Sequence, residues 1–259
     1  ELPCVLVSVM RGGPGLGGIQ PSQADYFQIT RGGGNGDYRI ISFAPENLQE
    51  AVDLMKESFA IADAYRNPVM IAVDGLIGQM MEPVDLDRPI PNRNLQEKTW
   101  AVGTNYTNRP RNIINSLYLD PQDLENHNLD LQKKYQRAKD NEQRFEYINM
   151  ENPEYVIVAY GTTARIARSS IAALQEQGME VGMIRPISLW PFPEKAFVYL
   201  PKSLKGILVC EMSAGQMIDD VRLAVLGRFP VHFFGRMGGM VPEPEEITQA
   251  ILQLKGAKS

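Results

Sequence analysis

Apolar residues along the chain alternate between short continuous runs and stripes at helical spacing. Residues 3–10 form the first run and predict a buried strand. A short helix is expected over 22–29, with Ser22 as N-cap and Asp25 in its first turn. A strand follows over 38–44. Asn47 then caps a helix, Glu50 completes a capping-box pattern, and Leu48, Val52, Met55, Phe59 and Ala62 make its stripe. Residues 68–73 read as another strand, ending in Asp74-Gly75. Residues 1–78 are therefore a β-loop-α-β-α-β unit with a parallel sheet, too short to close a domain alone.

The pattern changes over 79–152. Pro83, Pro89, Pro91 and Pro110 punctuate a segment poor in core residues, read as a linker wrapping over a surface. It ends in a long polar helix. Asp120 caps it, Pro121 takes the first position, and Leu124, Leu131, Tyr135, Ala138 and Phe145 make one narrow stripe. A second α/β unit, 153–259, has strands expected at 155–160, 181–184, 207–210 and 231–234. Its helices are expected at 164–177, 216–226 and 245–254. Spacings of ~25 residues per βα step fit a doubly wound domain.

The composition narrows the function classes. The chain has 259 residues, 44% hydrophobic and 22% charged, with a net charge of −5. That balance argues against a nucleic-acid footprint, and no apolar run approaches the ~20 residues that span a bilayer. Cys4 and Cys210 lie in apolar runs and read as buried cytosolic thiols. With only two Cys and two His, the chain lacks the ligand set for an iron–sulfur cluster or an obvious zinc site. The chain opens on a strand without an initiating Met, and no signal peptide is expected. A processed precursor or an N-terminally incomplete piece is expected.

Candidate chemistry centres on Arg11-Gly12-Gly13-Pro14-Gly15-Leu16-Gly17-Gly18, at the C-terminal end of the first strand. Open α/β sheets bind ligands there, and Arg11 suits a carboxylate or phosphate. Gly13, Gly15 and Gly18 fit the dinucleotide spacing. However, Pro14 and Pro21 oppose a helix starting in the loop, and the next strand ends without a ribose-binding acid. A ligand loop of another kind is favoured over a plain structural turn. Thr162 or Thr163 reads as an ordinary helix cap. The stretch 211–217 reads equally as a partner or cofactor surface and as a strand-to-helix loop, and 235–240 is a similar loop. The methionines of Gly78-Gln79-Met80 and Gly215-Gln216-Met217 suit an adaptable packing interface. Asp25, Asp37 and Asp74 have cap or turn explanations, and Asn35 has a loop role.

These pieces together resemble the α-type subunit of 2-oxoacid:ferredoxin oxidoreductases. The first signature is the Arg11–Gly17 loop, continued by residues 21–28, 32–39 and 62–69. In the second unit, 159–165, 185–193 and 211–220 carry the likeness. The branched-chain, 2-ketoisovalerate type is the most similar.

The resemblance implies a partial pyrimidine-type thiamine-diphosphate domain, a linker and a transketolase C-terminal-like α/β domain. It implies an enzyme subunit for oxidative decarboxylation of branched-chain 2-oxoacids, with coenzyme A taking the acyl group and ferredoxin the electrons. Thiamine diphosphate with Mg²⁺ and the iron–sulfur clusters are expected mainly on partner subunits: a β-type, a γ-type and a ferredoxin-like one. A cytoplasmic hetero-oligomer follows. By the same resemblance Arg11, Gly13, Pro14, Gly15 and Leu16 are substrate-binding. Leu16 supplies an apolar pocket wall where relatives with smaller or more polar substrates carry hydroxyls. The activating Glu is expected upstream, so this chain by itself is expected to be inactive. Two other readings stand beside this one: a non-catalytic assembly module, and a nucleotide-binding oxidoreductase.

Overall fold

The structure, a computed structural model, describes residues 1–33, 35–95, 97–102 and 111–256. Gly34 of the second glycine cluster and Pro110 of the linker lie outside the described residues.

Two mixed sheets organise the chain. The first contains β1 (Cys4–Met10), β2 (Ile41–Phe43) and β3 (Pro68–Asp74), which run parallel in the order β1-β3-β2. Its helices are α1 (Tyr26–Arg31) and α2 (Leu48–Tyr65). Asn47 caps α2 as expected, its side chain accepting from Glu50 N. The Glu50 carboxylate reaches back one residue beyond the cap, to Glu46 N.

The second sheet has the order β4-β6-β5-β8-β9. Its strands are β4 (Phe145–Ile148), β5 (Tyr155–Val158), β6 (Val181–Pro186), β8 (Gly206–Glu211) and β9 (Val231–Gly235). All are parallel except β4, which runs antiparallel to β6. Helices α4 (Gly161–Glu176), α5 (Met217–Val225) and α6 (Pro244–Gly256) complete it. Side chains alternate across this sheet. Val156, Val158, Ile207 and Val209 enter one core, which also holds Met10, Tyr26 and Ile29 of the first unit. Tyr155, Ile157, Leu208 and Cys210 enter the core under α4 and α6.

Four expectations are corrected. The long helix α3 (Pro121–Asn141) stops before Phe145. Glu142 is buried there by Tyr65, Arg93 and Arg144, and the alternating 145–148 run pairs with β6 instead. The sequence reading also lacked β7 (Ser188–Trp190). This strand leaves the second unit and pairs antiparallel with β2, so it joins the first sheet. β1 is an edge strand, not a buried one: Leu6, Val7 and Val9 are exposed, and so is Cys4. Cys210 is buried as expected, and burial pushes its thiol pKa up. Finally, Tyr160 occupies the N-cap position of α4. The hydroxyls of Thr162 and Thr163 donate to Asp74 and Gln23 instead of capping the helix.

Linker residues from Glu82 to Lys98 make contacts along α2. Gln49 bonds the Asp85 backbone, Lys56 the carbonyls of Leu86 and Arg88, and Arg93 pairs with Glu57 and Glu142. A second ionic cluster ties the two sheets together. Arg185, almost fully buried on β6, pairs with Glu50 at 2.9 Å and Glu146 at 2.8 Å, and Arg168 pairs with Glu46 at 2.7 Å.

Candidate active site

The Gly-rich stretch is a compact loop at the C-terminal end of β1. Gly12 N donates to Gln20 O at 2.8 Å and Gly18 N to Gly12 O at 3.0 Å, while Arg11 bridges to Pro21. Gly17 has φ +47°, and a Cβ there would stand 2.0 Å from the Gly12 carbonyl. A Cβ on Gly12 would lie 2.9 Å from the Gly238 backbone. Two glycine clusters far apart in sequence thus touch backbone to backbone, and a side chain would hold them apart.

Gln23 locks this loop onto the second unit. Its backbone N–H donates to Met212 O at 2.8 Å. Its side-chain oxygen accepts from Met212 N and Thr163 Oγ1, and its Nε2 donates to Tyr160 O. Ser22 adds a bond to Met212 O, and Gln216 bonds both Ala24 O and Phe27 N. Tyr26 and Arg31 converge on Asp220, with Arg31 bidentate. Burial raises the phenol pKa of both Tyr26 and Tyr160, and neighbouring carboxylates reinforce the shift, Asp220 at Tyr26 and Glu211 first at Tyr160.

Two buried carboxylates hold the loops that meet here. Glu211 ends β8 and accepts from Ser213 Oγ and from the backbone amides of Gln216, Met217 and Ile218. It thereby satisfies orphan donors at the N-terminus of α5. Asp74 ends β3 and accepts from Leu76 N, Ile77 N, Thr162 N and Thr162 Oγ1. Its turn role is as expected, but it also grips the start of α4. Burial raises its pKa, partly offset by those bonds.

Between the loops lies a cavity of about 410 Å³. Gly13, Pro14, Asp25, Met212, Gln216 and Met237 are among its walls. Of the residues expected from the sequence, Gly13 and Pro14 face it. Arg11, Gly15 and Leu16 do not line it. Both side-chain bonds of Arg11 leave from Nη1, to Leu16 O at 2.5 Å and Gly18 O at 3.3 Å, so the guanidinium braces the loop. Leu16 is 92% exposed at the loop tip. The sequence reading did not single out Gln23 or Met237 as site residues, and it left the stretch from Glu211 open between a cofactor surface and a plain loop. Only Glu211 carried a signal, and a weak one: a polar side chain at the end of an apolar run.

Residues 1–153 match the family described as pyruvate flavodoxin/ferredoxin oxidoreductase, thiamine diphosphate-binding. Residues 153–247 match pyruvate:ferredoxin oxidoreductase core domain II. The chain belongs to the 2-oxoacid:ferredoxin oxidoreductases. Among the relatives of this oxidoreductase chain is the ketoisovalerate oxidoreductase subunit VorB of Methanothermobacter marburgensis. It is 42% identical over 258 residues, covering 99% of this chain and 72% of that protein. The 2-oxoglutarate synthase subunit KorA of Methanocaldococcus jannaschii is 31% identical over 276 residues, covering 97% and 74%. A solved 2-oxoglutarate:ferredoxin oxidoreductase from Magnetococcus marinus superposes with TM-score 0.83 at 21% identity, over 97% of this chain and 48% of that one. A split-gene transketolase superposes with TM-score 0.51 at 14% identity, over 85% and 58%. Both show the fold, a thiamine-diphosphate-type unit joined to a transketolase-like one, as the sequence predicts.

The family that residues 1–153 match is described as thiamine diphosphate-binding. Among the described residues no cluster of three or more His, Cys, Asp or Glu could hold a metal ion. Nor, among the described residues, does a Lys or Arg line the cavity. These walls do not fit a diphosphate and its metal. They suit a small, largely apolar group. Among the described residues no helix is long and apolar enough to cross a membrane.

Proposed function

We propose that this chain is the α-type subunit of a thiamine-diphosphate-dependent oxidoreductase that decarboxylates branched-chain 2-oxoacids, with 2-ketoisovalerate as the type substrate, and passes electrons to ferredoxin. Coenzyme A accepts the acyl group. The observation that carries this reading is the 42% identity with VorB across essentially the whole chain, against 31% with KorA over a similar span.

Partner subunits hold the diphosphate, its Mg²⁺ and the iron–sulfur clusters, in a cytoplasmic hetero-oligomer with β-type, γ-type and ferredoxin-like members. The division into 1–78, 79–152 and 153–259 separates the pyrimidine-type part, the linker with its helix, and the transketolase-like domain. Arg11, Gly13, Pro14, Gly15 and Leu16 form this chain's share of the substrate site. Gly13 and Pro14 face the cavity from within. Arg11 keeps the loop closed through Nη1 and leaves the rest of its fork for the substrate carboxylate. Leu16 stands out from the loop, so a partner surface closes the apolar pocket over it.

The test is reconstitution with the partner subunits, coenzyme A and ferredoxin. The kcat/KM for 2-ketoisovalerate should exceed those for pyruvate and 2-oxoglutarate. A preference for 2-oxoglutarate would overturn the reading. Turnover by this chain alone would overturn its assignment as half a site.

A further inference from the structure

A second cavity, of about 470 Å³, opens at the opposite end of the first sheet. The C-terminus of α2, the linker around Trp100 and one face of α3 line it. β1 and β3 run in parallel from Cys4 and Pro68 to Met10 and Asp74. Seven strand residues therefore separate this cavity from the Gly-rich loop, roughly 20 Å at strand rise. Its occupant cannot touch the candidate active site.

On α3, His127, Asp130, Lys134 and Arg137 follow one another at spacings of three, four and three, which sets them on one face. Across the cavity stands Arg66, the left-handed C-cap of α2. Its guanidinium lies over the Trp100 ring at 4.7 Å, and its Nε is buried without a hydrogen-bond partner. Lys134 Nζ donates to the Arg66 carbonyl at 3.3 Å.

The carboxylates around this cavity are mostly paired with cations other than Arg66, Lys134 and Arg137. Asp63 pairs with Lys98 at 2.6 Å, Asp130 with Lys133 at 2.8 Å, and Glu1 with His127. Glu97 stands exposed on the linker side. Among the described residues, no carboxylate makes an ion pair with Arg66, Lys134 or Arg137. Burial first, and then the charges of Arg66 and Arg137, lower the Lys134 pKa to about 8, against an opposing pull from Glu1. Three cations that repel one another have been gathered in a chain of net charge −5.

We propose that Arg66, Lys134 and Arg137 form a binding site for a small phosphoryl-bearing anion. A phosphoryl group carries more than one negative charge and three oxygens, enough to satisfy two guanidinium forks and an ammonium together. A single carboxylate has one charge and two oxygens and would leave part of the cluster uncompensated. Trp100 holds the Arg66 plane in place, so this donor is oriented before the anion arrives. The site is remote from the candidate active site, so its ligand acts as an effector rather than a substrate. The proposal does not rest on the assignment of substrate.

Inorganic pyrophosphate is the probe. Calorimetric titration of the full chain should show saturable binding that weakens about tenfold or more in Arg137→Gln and in Lys134→Met, each of which removes a charge-assisted contact. Arg137 is exposed, so its variant tests binding without disturbing the core. Acylation of Lys134 near pH 8, read by mass spectrometry, should be suppressed by pyrophosphate in the parent chain. Absence of saturable binding at millimolar pyrophosphate overturns the proposal. So does unchanged binding in both variants, or a Lys134 whose labelling pyrophosphate does not alter. A Lys134 that is shielded only after partner subunits assemble, with no anion effect, would make this face a protein interface and also overturn it.

Discussion

Strands β5, β6 and β8 of the second sheet are buried at every position, whereas β1 of the first sheet exposes Leu6, Val7 and Val9. The two sets of strands are about equally apolar. Their difference lies in neighbours. β5 has strands on both sides and helices on both faces. β1 has β3 on one side only, and its open edge carries unpaired backbone groups. An apolar run specifies a strand, but burial belongs to whatever covers it. The first sheet even borrows β7 from the second unit to complete its far edge. The second sheet likewise takes its edge strand, β4, from the segment that precedes its unit.

The sharpest way to break this comparison is at the contact between the units. Arg185→Ala leaves Glu50 and Glu146 without their buried partner and should cost about 3–5 kcal/mol in denaturant unfolding. If the two sheets were independently stable, the loss would be far smaller. Next comes the contrast inside the strands. Ile157→Ala on β5 should cost about 2–5 kcal/mol, while Val7→Ser on β1 should stay within about 0.5 kcal/mol in this chain. The same Val7→Ser change should weaken association with partner subunits, read by sedimentation, because it alters an exposed apolar edge.

A smaller effect concerns the exposed loop. In the assembled enzyme Leu16→Thr should reduce the preference for branched over short 2-oxoacids by about 1–3 kcal/mol, or roughly ten- to two-hundredfold in the kcat/KM ratio. An unchanged ratio would remove Leu16 from the substrate pocket. The smallest concerns acid stability. Burial alone would raise the Glu57 pKa, but Arg144 and Arg93 outweigh it and hold the carboxyl below its usual range. A lowered folded-state pKa means the carboxylate stabilises the fold above its unfolded pKa. That contribution fades as pH falls through the folded value. Glu57→Gln should therefore flatten the acid limb of the unfolding curve and leave the alkaline limb unchanged.

Much of the architecture was legible in the sequence. Asn47 before Leu48 marked the start of α2, and Asp120-Pro121 marked the start of α3, because capping chemistry is local. Most strands and helices lie within a few residues of their expected places. The end of α3 was not legible. A stripe running to Phe145 is as compatible with helix as with the β4 edge strand, and only Glu142, pulled into a network with Tyr65 and Arg93, breaks the tie. The site was legible in part. The Gly-rich loop announced itself, since only glycine tolerates such backbone angles and contacts. Gln23 and Glu211 did not, because a lone polar residue has no signature until its partners, from residues 160–163 and 212–218, are in place.

By itself the sequence determined most of the elements, the starts of α2 and α3, the two-unit α/β order and the family to which the chain belongs. These follow from periodicity, capping and motif, all of which are written in near neighbours. Tertiary structure alone decided which apolar strand is covered, that β7 changes sheets, and that Arg11 braces its own loop. It also decided that Gly12 meets Gly238 and that Arg66 faces Lys134 and Arg137. Each of these depends on residues far apart in the chain arriving within a few ångströms. Hydrogen bonds and charges act over that distance, and no spacing in the sequence records it.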